Sequence, residues 1–184
     1  MAWPHQVAWS SGSRPRIAPA SSAPHSSRES PESHDARAFD SGVIDIDEWL
    51  RSQAAIASRR GLSRTFVWVE SSAIVRAYYT LAPHKVSRDS RPPVSARGMP
   101  REIPAILVAK VALDRSLHGQ GIGAALVADA LRRGAFAART VGARLAVVDP
   151  STDDLVGFYA RLGFSRIPGS RRMIQRIKDL PDPR

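Results

Sequence analysis

The chain has 184 residues, a formal charge of +10 carried almost wholly by arginine, and no cysteine. The length indicates one domain plus a tail, and the lack of cysteine excludes disulfides, zinc–thiolate sites and thiol catalysis. No apolar run reaches bilayer-spanning length and the N-terminus lacks the apolar stretch of a secretory signal, so we expect a cytoplasmic protein that binds no membrane.

The N-terminal segment 1–38 differs in composition from the rest of the chain. It is rich in Ser, Pro and Ala without apolar periodicity, and its acidic and basic residues nearly balance. Such a segment cannot bury enough apolar surface to offset the entropy of ordering it. We therefore expect a disordered tail over 1–38 and a folded domain over 39–180, which carries nearly all of the positive charge.

The positive charge of the folded part favours polyanionic partners such as nucleic acid, an anionic cofactor or an acidic protein. An Ala- and Arg-rich chain can equally reflect the base composition of its genome. Charge alone therefore leaves the partner open.

The domain is predicted to begin with a helix over about 44–60, with Asp45 as a candidate N-cap and Gly61 as the stop. Two β-branched and aromatic runs follow, at 65–69 and 73–81. Both read as strands, and the short polar turn between them predicts a hairpin.

Residues 82–103 are rich in Pro and Arg and read as a long connection. A connection of this length inside a compact domain is usually functional or mobile. Five basic residues lie in it: Lys85, Arg88, Arg91, Arg97 and Arg101.

The second half alternates strands and helices. The apolar run 105–113 predicts a strand covered on both faces, and a helix is expected over 121–138. A buried strand at 144–148, a helix at 153–162 and a last strand at 173–177 complete the predicted order.

A glycine-rich turn, His118-Gly119-Gln120-Gly121-Ile122-Gly123, joins strand 105–113 to the next helix. The first N–H groups of a helix lack intrahelical partners and the helix dipole favours negative charge there. Glycine lets the backbone approach phosphate oxygens because it has no Cβ. The arrangement therefore predicts a phosphate-binding loop.

Other glycine-rich loops fit this segment less well. A Walker loop requires Gly-Lys-Ser/Thr, which is missing here. A dinucleotide fingerprint requires Gly-x-Gly-x-x-Gly on an early strand, whereas these glycines are evenly spaced and the strand is late. A glycine-rich connection that binds no ligand is the remaining alternative.

The loop resembles motif A of the GNAT family of N-acetyltransferases, written Q/R-x-x-G-x-G/A. His118 stands in the Q/R place, Gly121 is the invariant glycine and Gly123 the last position. The segment Phe158-Tyr159-Ala160-Arg161-Leu162-Gly163-Phe164 resembles a second family signature, (L/F)Y-x-(K/R)-x-GF. The resemblance spans about 39–178, and the two motifs together are much more specific than either alone.

The resemblance implies the GNAT fold, an α/β (α+β) architecture with a mixed, mostly antiparallel central sheet flanked by helices. Two central strands splay apart around acetyl-CoA, whose pyrophosphate lies on the glycine loop and whose pantetheine arm bonds to strand backbone. No metal is implied. The implied cofactor-binding residues are Val111, Ala112, Leu113, His118, Gly119, Gln120, Gly121, Ile122, Gly123, Ala124 and Thr152, which replaces the usual asparagine.

Tyr159 matches the tyrosine that serves many family members as general acid. Acetyl transfer from a thioester requires the amine to lose a proton, and the leaving thiolate is helped by a proton from a nearby phenol. A buried aromatic anchor is the structural alternative for this residue. No side chain stands out as general base, so we expect a water relay or a partly neutral amine.

Within the family, the chain resembles the TacT- and AtaT-like toxins of bacterial toxin–antitoxin pairs. That resemblance implies acetylation of the α-amine of charged tRNA, which blocks translation, a homodimer, and a ribbon-helix-helix antitoxin. The segments that carry it are Phe39-Asp40-Ser41-Gly42, with Ser41 in place of cysteine, Asp47-Glu48-Trp49-Leu50, Gly61-Leu62-Ser63-Arg64-Thr65, Tyr78-Tyr79, Leu113-Asp114-Arg115-Ser116 and Phe158-Tyr159.

Two groups of arginines are candidates for contacting tRNA, since RNA phosphates require cations around the cleft. One group lies in the 82–103 connection and the other on one flank of the predicted helix 121–138, beside Phe136. A solvated surface is an equally good interpretation of the helix flank, and Phe136 could be a dimer contact or a stacking surface. The candidates are Arg91, Arg97, Arg101, Arg132, Arg133 and Arg139.

Two other functions stay open at this point. A GNAT enzyme acting on a small amine or a protein N-terminus would have no reason for so positive a folded domain. A non-catalytic nucleic-acid-binding module would have no affinity for acetyl-CoA.

Overall fold

The computed structural model describes residues 7–8, 27–29, 34–70, 73–90 and 98–180. The helices in these ranges are α1 (Ile44–Ser52), α2 (Ala54–Arg59), α3 (Ile122–Val141) and α4 (Asp153–Arg161). The strands are β1 (Val7–Ala8), β2 (Ser27–Glu29), β3 (Arg64–Val69), β4 (Val75–Ser87), β5 (Glu102–Leu113), β6 (Leu145–Val148), β7 (Ser165–Arg166) and β8 (Met173–Arg176).

The described strands form one mixed sheet in the order β2-β3-β4-β5-β6-β8-β7, and β1 adds to β5. Only the β5–β6 and β1–β5 pairs are parallel, whereas the other neighbours are antiparallel. The predicted mixed, mostly antiparallel sheet flanked by helices is therefore confirmed.

Helices cover both faces of this sheet, and two neighbouring tyrosines show the division. Tyr79 packs in the cluster that contains the buried face of α3, and Tyr78 packs with α1 and α2. Successive strand residues point to opposite faces, so this pair contributes one ring to each core. Among the described residues, none of the helices has the length and apolar character that a bilayer-spanning helix needs.

The predicted helix over 44–60 is two helices that meet at Gln53. Its predicted N-cap is wrong, because Val43 holds the cap position and Asp45 lies in the first turn. The carboxylate that organises this end is Asp47, which is buried and accepts hydrogen bonds from Ser41 N at 3.0 Å and Ser41 Oγ at 2.6 Å. Asp47 thereby ties the preceding loop to α1.

The predicted connection over 82–103 is shorter in the structure. β4 and β5 pair continuously from Ala77 opposite Leu113 to Ser87 opposite Glu102, so much of the Pro- and Arg-rich segment is strand. The polar composition suggested a loop because this end of the hairpin is exposed. Lys85 and Glu102 form an ion pair there. The true connection is 88–101, and its residues 91–97 lie outside the described ranges.

α3 confirms the predicted core side of its helix and runs three residues further, to a C-cap at Gly142. Its buried residues are Leu126, Val127, Ala130, Leu131, Gly134, Ala135 and Ala138. Arg132, Phe136 and Arg139 are exposed on the other side.

Three parts of the N-terminal segment 1–38 are described, and each pairs with the sheet. β1 pairs with β5, β2 with β3, and Asp35 forms a bridge to Ile74. The rest of this segment, for which we predicted disorder, lies outside the described residues.

Candidate active site

The two central strands β5 and β6 part in the middle of the sheet. They pair over Ala105–Leu107 with Leu145–Val147, and beyond Leu107 no pairing joins them, although β5 continues to Leu113. Both strands run in the same direction and β6 ends at Val148, so the edge of β5 from Val108 to Leu113 is left without β6 and a gap opens there. The predicted splay is confirmed.

A β-bulge marks this part of β5. Tyr79 is opposite Val111 and Thr80 is opposite Ala109, so Lys110 is the extra residue and has a left-handed φ of 41°. Only a few per cent of non-glycine residues adopt positive φ, and such strain concentrates at functional sites. We did not anticipate Lys110 from the sequence, because a bulge depends on the partner strand.

The Lys110 side chain lies on the α1 face of the sheet. It is 3% exposed, and its ammonium is 5.5 Å from the centroid of the Trp49 ring. Burial lowers the pKa of this lysine, while the negative charge of Asp45 acts in the opposite direction. The gap therefore has a buried cation beside it.

Asp114 organises the loop that follows β5. Its carboxylate accepts hydrogen bonds from Ser116 N at 3.0 Å and from Asp40 N at 3.3 Å, and Arg76 lies 3.7 Å away. Burial raises the pKa of this carboxyl, but the bonds from Ser116 and Asp40 and the charge of Arg76 outweigh burial, so the pKa is below its usual value. One ionised carboxylate thus connects the loop to β4 and to the segment before α1.

The N-terminus of α3 lies at the end of this loop and has no side-chain cap. Gly121 occupies the N-cap with a φ of 76° and no acidic residue lies in the first turn. Apart from the two adjoining residues, no atom of the described part of the chain lies within 4 Å of the place where a side chain at Gly121 would start. By contrast, the Thr152 hydroxyl caps α4, and Asp153 is in that helix's first turn. The α3 terminus therefore presents N–H groups and open space to an anion.

Three of the predicted cofactor-binding side chains have partners within the protein. His118 places Nε2 3.1 Å from the carbonyl oxygen of Leu113, and Gln120 donates to the carbonyl of Ser116 at 2.8 Å. Thr152 Oγ1 accepts from Leu155 N at 3.3 Å. In this structure the first two side chains stabilise the loop and the third caps a helix.

Tyr159 lies on α4, fully buried between Phe158 and Phe164 with ring centroids 5.2 and 5.5 Å away. Its hydroxyl has no hydrogen-bond partner among the described residues. Burial raises the pKa of the phenol above its usual value, so the group stays protonated at neutral pH. A buried hydroxyl without a partner is costly in a merely structural residue.

Arg132 and Arg133 of the α3 flank line a cavity of about 740 Å³ that is separate from the gap. Arg132 and Arg133 both approach Asp129, at 2.5 and 3.5 Å, and Arg133 lies over the Phe66 ring at 4.7 Å. Asp129 also accepts a hydrogen bond from the Tyr79 hydroxyl at 2.6 Å. None of the predicted cofactor-binding residues is among the residues that line this cavity.

The other predicted tRNA contacts lie elsewhere. Arg101 is exposed beside the start of β5, and Arg139 is exposed near the end of α3. Arg91 and Arg97 lie outside the described residues. Within the described ranges, no group of three or more His, Cys, Asp or Glu side chains is arranged to hold a metal ion.

Comparison with known proteins identifies the class. The acetyltransferase (GNAT) family matches residues 45–164, which include the parting strands, the glycine loop and Tyr159. The chain belongs to this family of acetyltransferases.

A curated relative and two solved structures resemble the chain more specifically. A protein of Mycobacterium tuberculosis (strain ATCC 25618 / H37Rv) named tRNA-acetylating toxin is 33% identical over 137 residues, which are 74% of this chain and 82% of the relative. AtaT complexed with acetyl-methionyl-tRNAfMet is 26% identical with a TM-score of 0.73, covering 79% of this chain and 89% of AtaT. AtaTR bound with AcCoA is also 26% identical, with a TM-score of 0.73 and coverage of 84% and 95%.

We predict that burial of Lys110 makes stability depend on pH. Its folded-state pKa lies below the unfolded value of 10.5, so the unfolded chain binds more protons just below that pH and stability rises with pH there. Lys110→Met removes this contribution, so the stability of the variant relative to the wild type should fall as pH rises from about 7 to about 10. Urea denaturation at several pH values measures the difference.

The matched control is Lys178→Met, which removes an exposed lysine. Because this variant leaves the buried lysine in place, Lys110→Met should show the larger trend with pH. A difference between Lys110→Met and the wild type that is constant across this range would contradict burial of the charged group.

Proposed function

We propose that this chain binds acetyl-CoA in the gap between β5 and β6 and transfers the acetyl group to the α-amine of aminoacyl-tRNA. In this role it is the toxin of a toxin–antitoxin pair that blocks translation. The observation that carries the proposal is the buried hydroxyl of Tyr159, which has no partner among the described residues, in a chain of this family whose strands β5 and β6 stop pairing at Leu107. The similarity to a tRNA-acetylating toxin supports this acceptor.

The residues present fit acetyl-CoA on two counts. The uncapped N-terminus of α3 and the open space at Gly119 and Gly121 suit the pyrophosphate. The edge of β5 over Val111–Leu113 is not paired with β6 and suits the amides of the pantetheine arm. The AtaTR structure bound with AcCoA supports the same assignment.

Tyr159 supplies the proton that the reaction needs. The bound thioester provides an activated acetyl group: the amine nitrogen forms a bond to the carbonyl carbon, and the carbon–sulfur bond breaks. The Tyr159 hydroxyl donates a proton to the departing sulfur, the nitrogen loses its extra proton to water, and the tyrosinate takes a proton back from water before the next turnover. An α-amine has a pKa of roughly 8, so a fraction is neutral near physiological pH without a dedicated base.

The charge of the domain supports tRNA as the acceptor. Positive side chains around a cleft attract RNA phosphates at long range and bind them at short range. We assign the main RNA contacts to the 88–101 connection rather than to α3, because Arg132 and Arg133 share one carboxylate and border an apolar cavity. Arg91, Arg97 and Arg101 are the residues of this assignment.

We also propose the assemblies that the toxin resemblance implies: a ribbon-helix-helix antitoxin and a homodimer acting in the cytoplasm. Phe136 and Val141 on α3 are 68% and 71% exposed, and exposed apolar side chains of this size support an interface there.

The direct test of the function is mass spectrometry of charged tRNA after incubation with the protein and acetyl-CoA. N-acetyl-aminoacyl-tRNA is the expected product. Rapid acetylation of small amines, with charged tRNA left unmodified, would contradict the proposal.

Gly121→Glu should abolish acetyl-CoA binding, because it puts an anionic side chain where the pyrophosphate approaches. Calorimetric titration with acetyl-CoA measures the loss. Gly142→Glu is the matched control, since Gly142 caps the other end of α3 with nearly the same φ of 78° and the same open space. Equal affinity in both variants would show that phosphate does not bind at Gly121.

Tyr159→Phe should lower turnover by about 10²- to 10⁴-fold, the usual value of general acid catalysis. It keeps the aromatic packing between Phe158 and Phe164, so the dissociation constant for acetyl-CoA should change little. Single-turnover kinetics with charged tRNA measure the rate. Unchanged turnover would mean that water or another residue protonates the thiolate.

Replacing Arg91, Arg97 and Arg101 together with Ser should weaken tRNA binding and flatten its salt dependence, by about one unit of slope per lost phosphate contact. Acetyl-CoA affinity should not change, because its site is built from another segment. The triple Ser variant of Arg132, Arg133 and Arg139 removes the same charge and should have the smaller effect. Measuring the tRNA affinity of both variants over a range of salt concentrations compares the two groups of arginines. A larger loss in the α3 variant would overturn the assignment to the connection.

A further inference from the structure

The N-terminal strand β1 lies on the edge of β5 that faces the gap. Val7 pairs with Val111 and Ala8 with Ala112, both in parallel register. On its other edge β5 pairs with β4 through the same residues, and the pairing of β5 with β6 ends at Leu107. β1 therefore takes the place that a longer β6 would occupy.

The same stretch of β5 is where the proposed function puts the pantetheine arm. A strand edge offers one set of N–H and C=O groups, and the amides of pantetheine bond to such an edge in the manner of an added strand. The edge at Val111 and Ala112 cannot serve both occupants at once. We propose that β1 is an internal competitor of acetyl-CoA, which must displace residues 7–8 before it binds fully; this inference rests on the proposed cofactor site.

The contact is suited to reversible competition. A two-residue strand forms few hydrogen bonds, so β1 can leave β5 without loss of the core. β2 is held separately by β3, at the other edge of the sheet from the gap, so β1 can dissociate while the segment stays attached to the domain. An attached competitor acts at a high effective concentration.

The expected size of the effect follows from population arithmetic. The apparent affinity for acetyl-CoA equals the intrinsic affinity multiplied by the fraction of molecules in which β1 is displaced. A few net hydrogen bonds that hold β1 in place lower this apparent affinity roughly 3- to 30-fold. The pyrophosphate site at Gly121 lies on another segment. Competition should therefore affect ligands that carry pantetheine and spare those that lack it.

The experiment compares the full chain with a variant lacking residues 2–26, which retains β2. Calorimetric titration with acetyl-CoA should give roughly 3- to 30-fold tighter binding in the shortened chain. Titration with adenosine 3′-phosphate 5′-diphosphate, the part of the cofactor without pantetheine, should give the same affinity in both. A synthetic peptide of residues 1–12 should weaken acetyl-CoA binding to the shortened chain.

A second comparison keeps the chain length constant. Replacing Val7 and Ala8 with Pro removes both N–H groups of β1. Any hydrogen bond that either group donates to β5 is therefore lost. This variant should match the shortened chain, whereas Pro at Ala18 and Ala20 should leave the affinity of the full chain unchanged.

The outcomes separate this inference from the proposed function. Equal acetyl-CoA affinity in the full chain, the shortened chain and the Pro variant would overturn the competition by β1 and leave the cofactor site standing. A parallel gain in affinity for the pantetheine-free nucleotide would also overturn it. Failure of every form to bind acetyl-CoA would overturn the proposed function and the inference with it.

Discussion

The separation of β5 from β6 is the constraint on which the rest of the site depends. The strands pair only over Ala105–Leu107, yet β5 continues for six more residues. The backbone groups on that edge of β5 require partners, because unpaired buried N–H and C=O groups are costly. In this structure β1 supplies such partners at Val111 and Ala112, and the pantetheine arm supplies them in the proposed complex.

The loop after β5 connects this gap to the rest of the domain. Asp114 holds Ser116 and Asp40, and Arg115 N donates to the carbonyl of Asp40 at 2.8 Å. Asp40 belongs to the segment that Asp47 ties to α1 through Ser41. The loop before α3 and the helical layer on the opposite face are thus positioned by one continuous set of hydrogen bonds.

The basic side chains of this protein lie in environments that differ in burial and in nearby acidic groups. On α3, Arg132 and Arg133 are engaged by Asp129, and Arg133 stacks on Phe66 above an apolar cavity. Lys110 is buried at the bulge, where desolvation opposes its charge. Arg101 is exposed at the hairpin end, where a phosphate can replace water at little cost. Basic residues that carry the same charge therefore differ in how readily they can contact RNA.

The sequence by itself determined the features that depend on neighbouring residues. The apolar period of α3, the glycine loop before it and the motif around Tyr159 are local patterns, and the structure has the helix, the loop and the buried tyrosine at those positions. The limits of the long hairpin were wrong, because the pairing of Lys85 with Glu102 joins residues far apart in the chain. Local composition carries no record of such a partner.

Tertiary structure alone decided which groups meet across the sheet. The bulge at Lys110 arises from the register between β4 and β5, and the contact of β1 with Val111 and Ala112 joins the N-terminal segment to a strand about a hundred residues further along the chain. Tertiary structure also decided the hydrogen-bond partner of the His118 ring, because the carbonyl oxygen of Leu113 at the end of β5 lies 3.1 Å from its Nε2. Residue types specify what each group can bond to, but strand register and loop closure decide which partner is within reach.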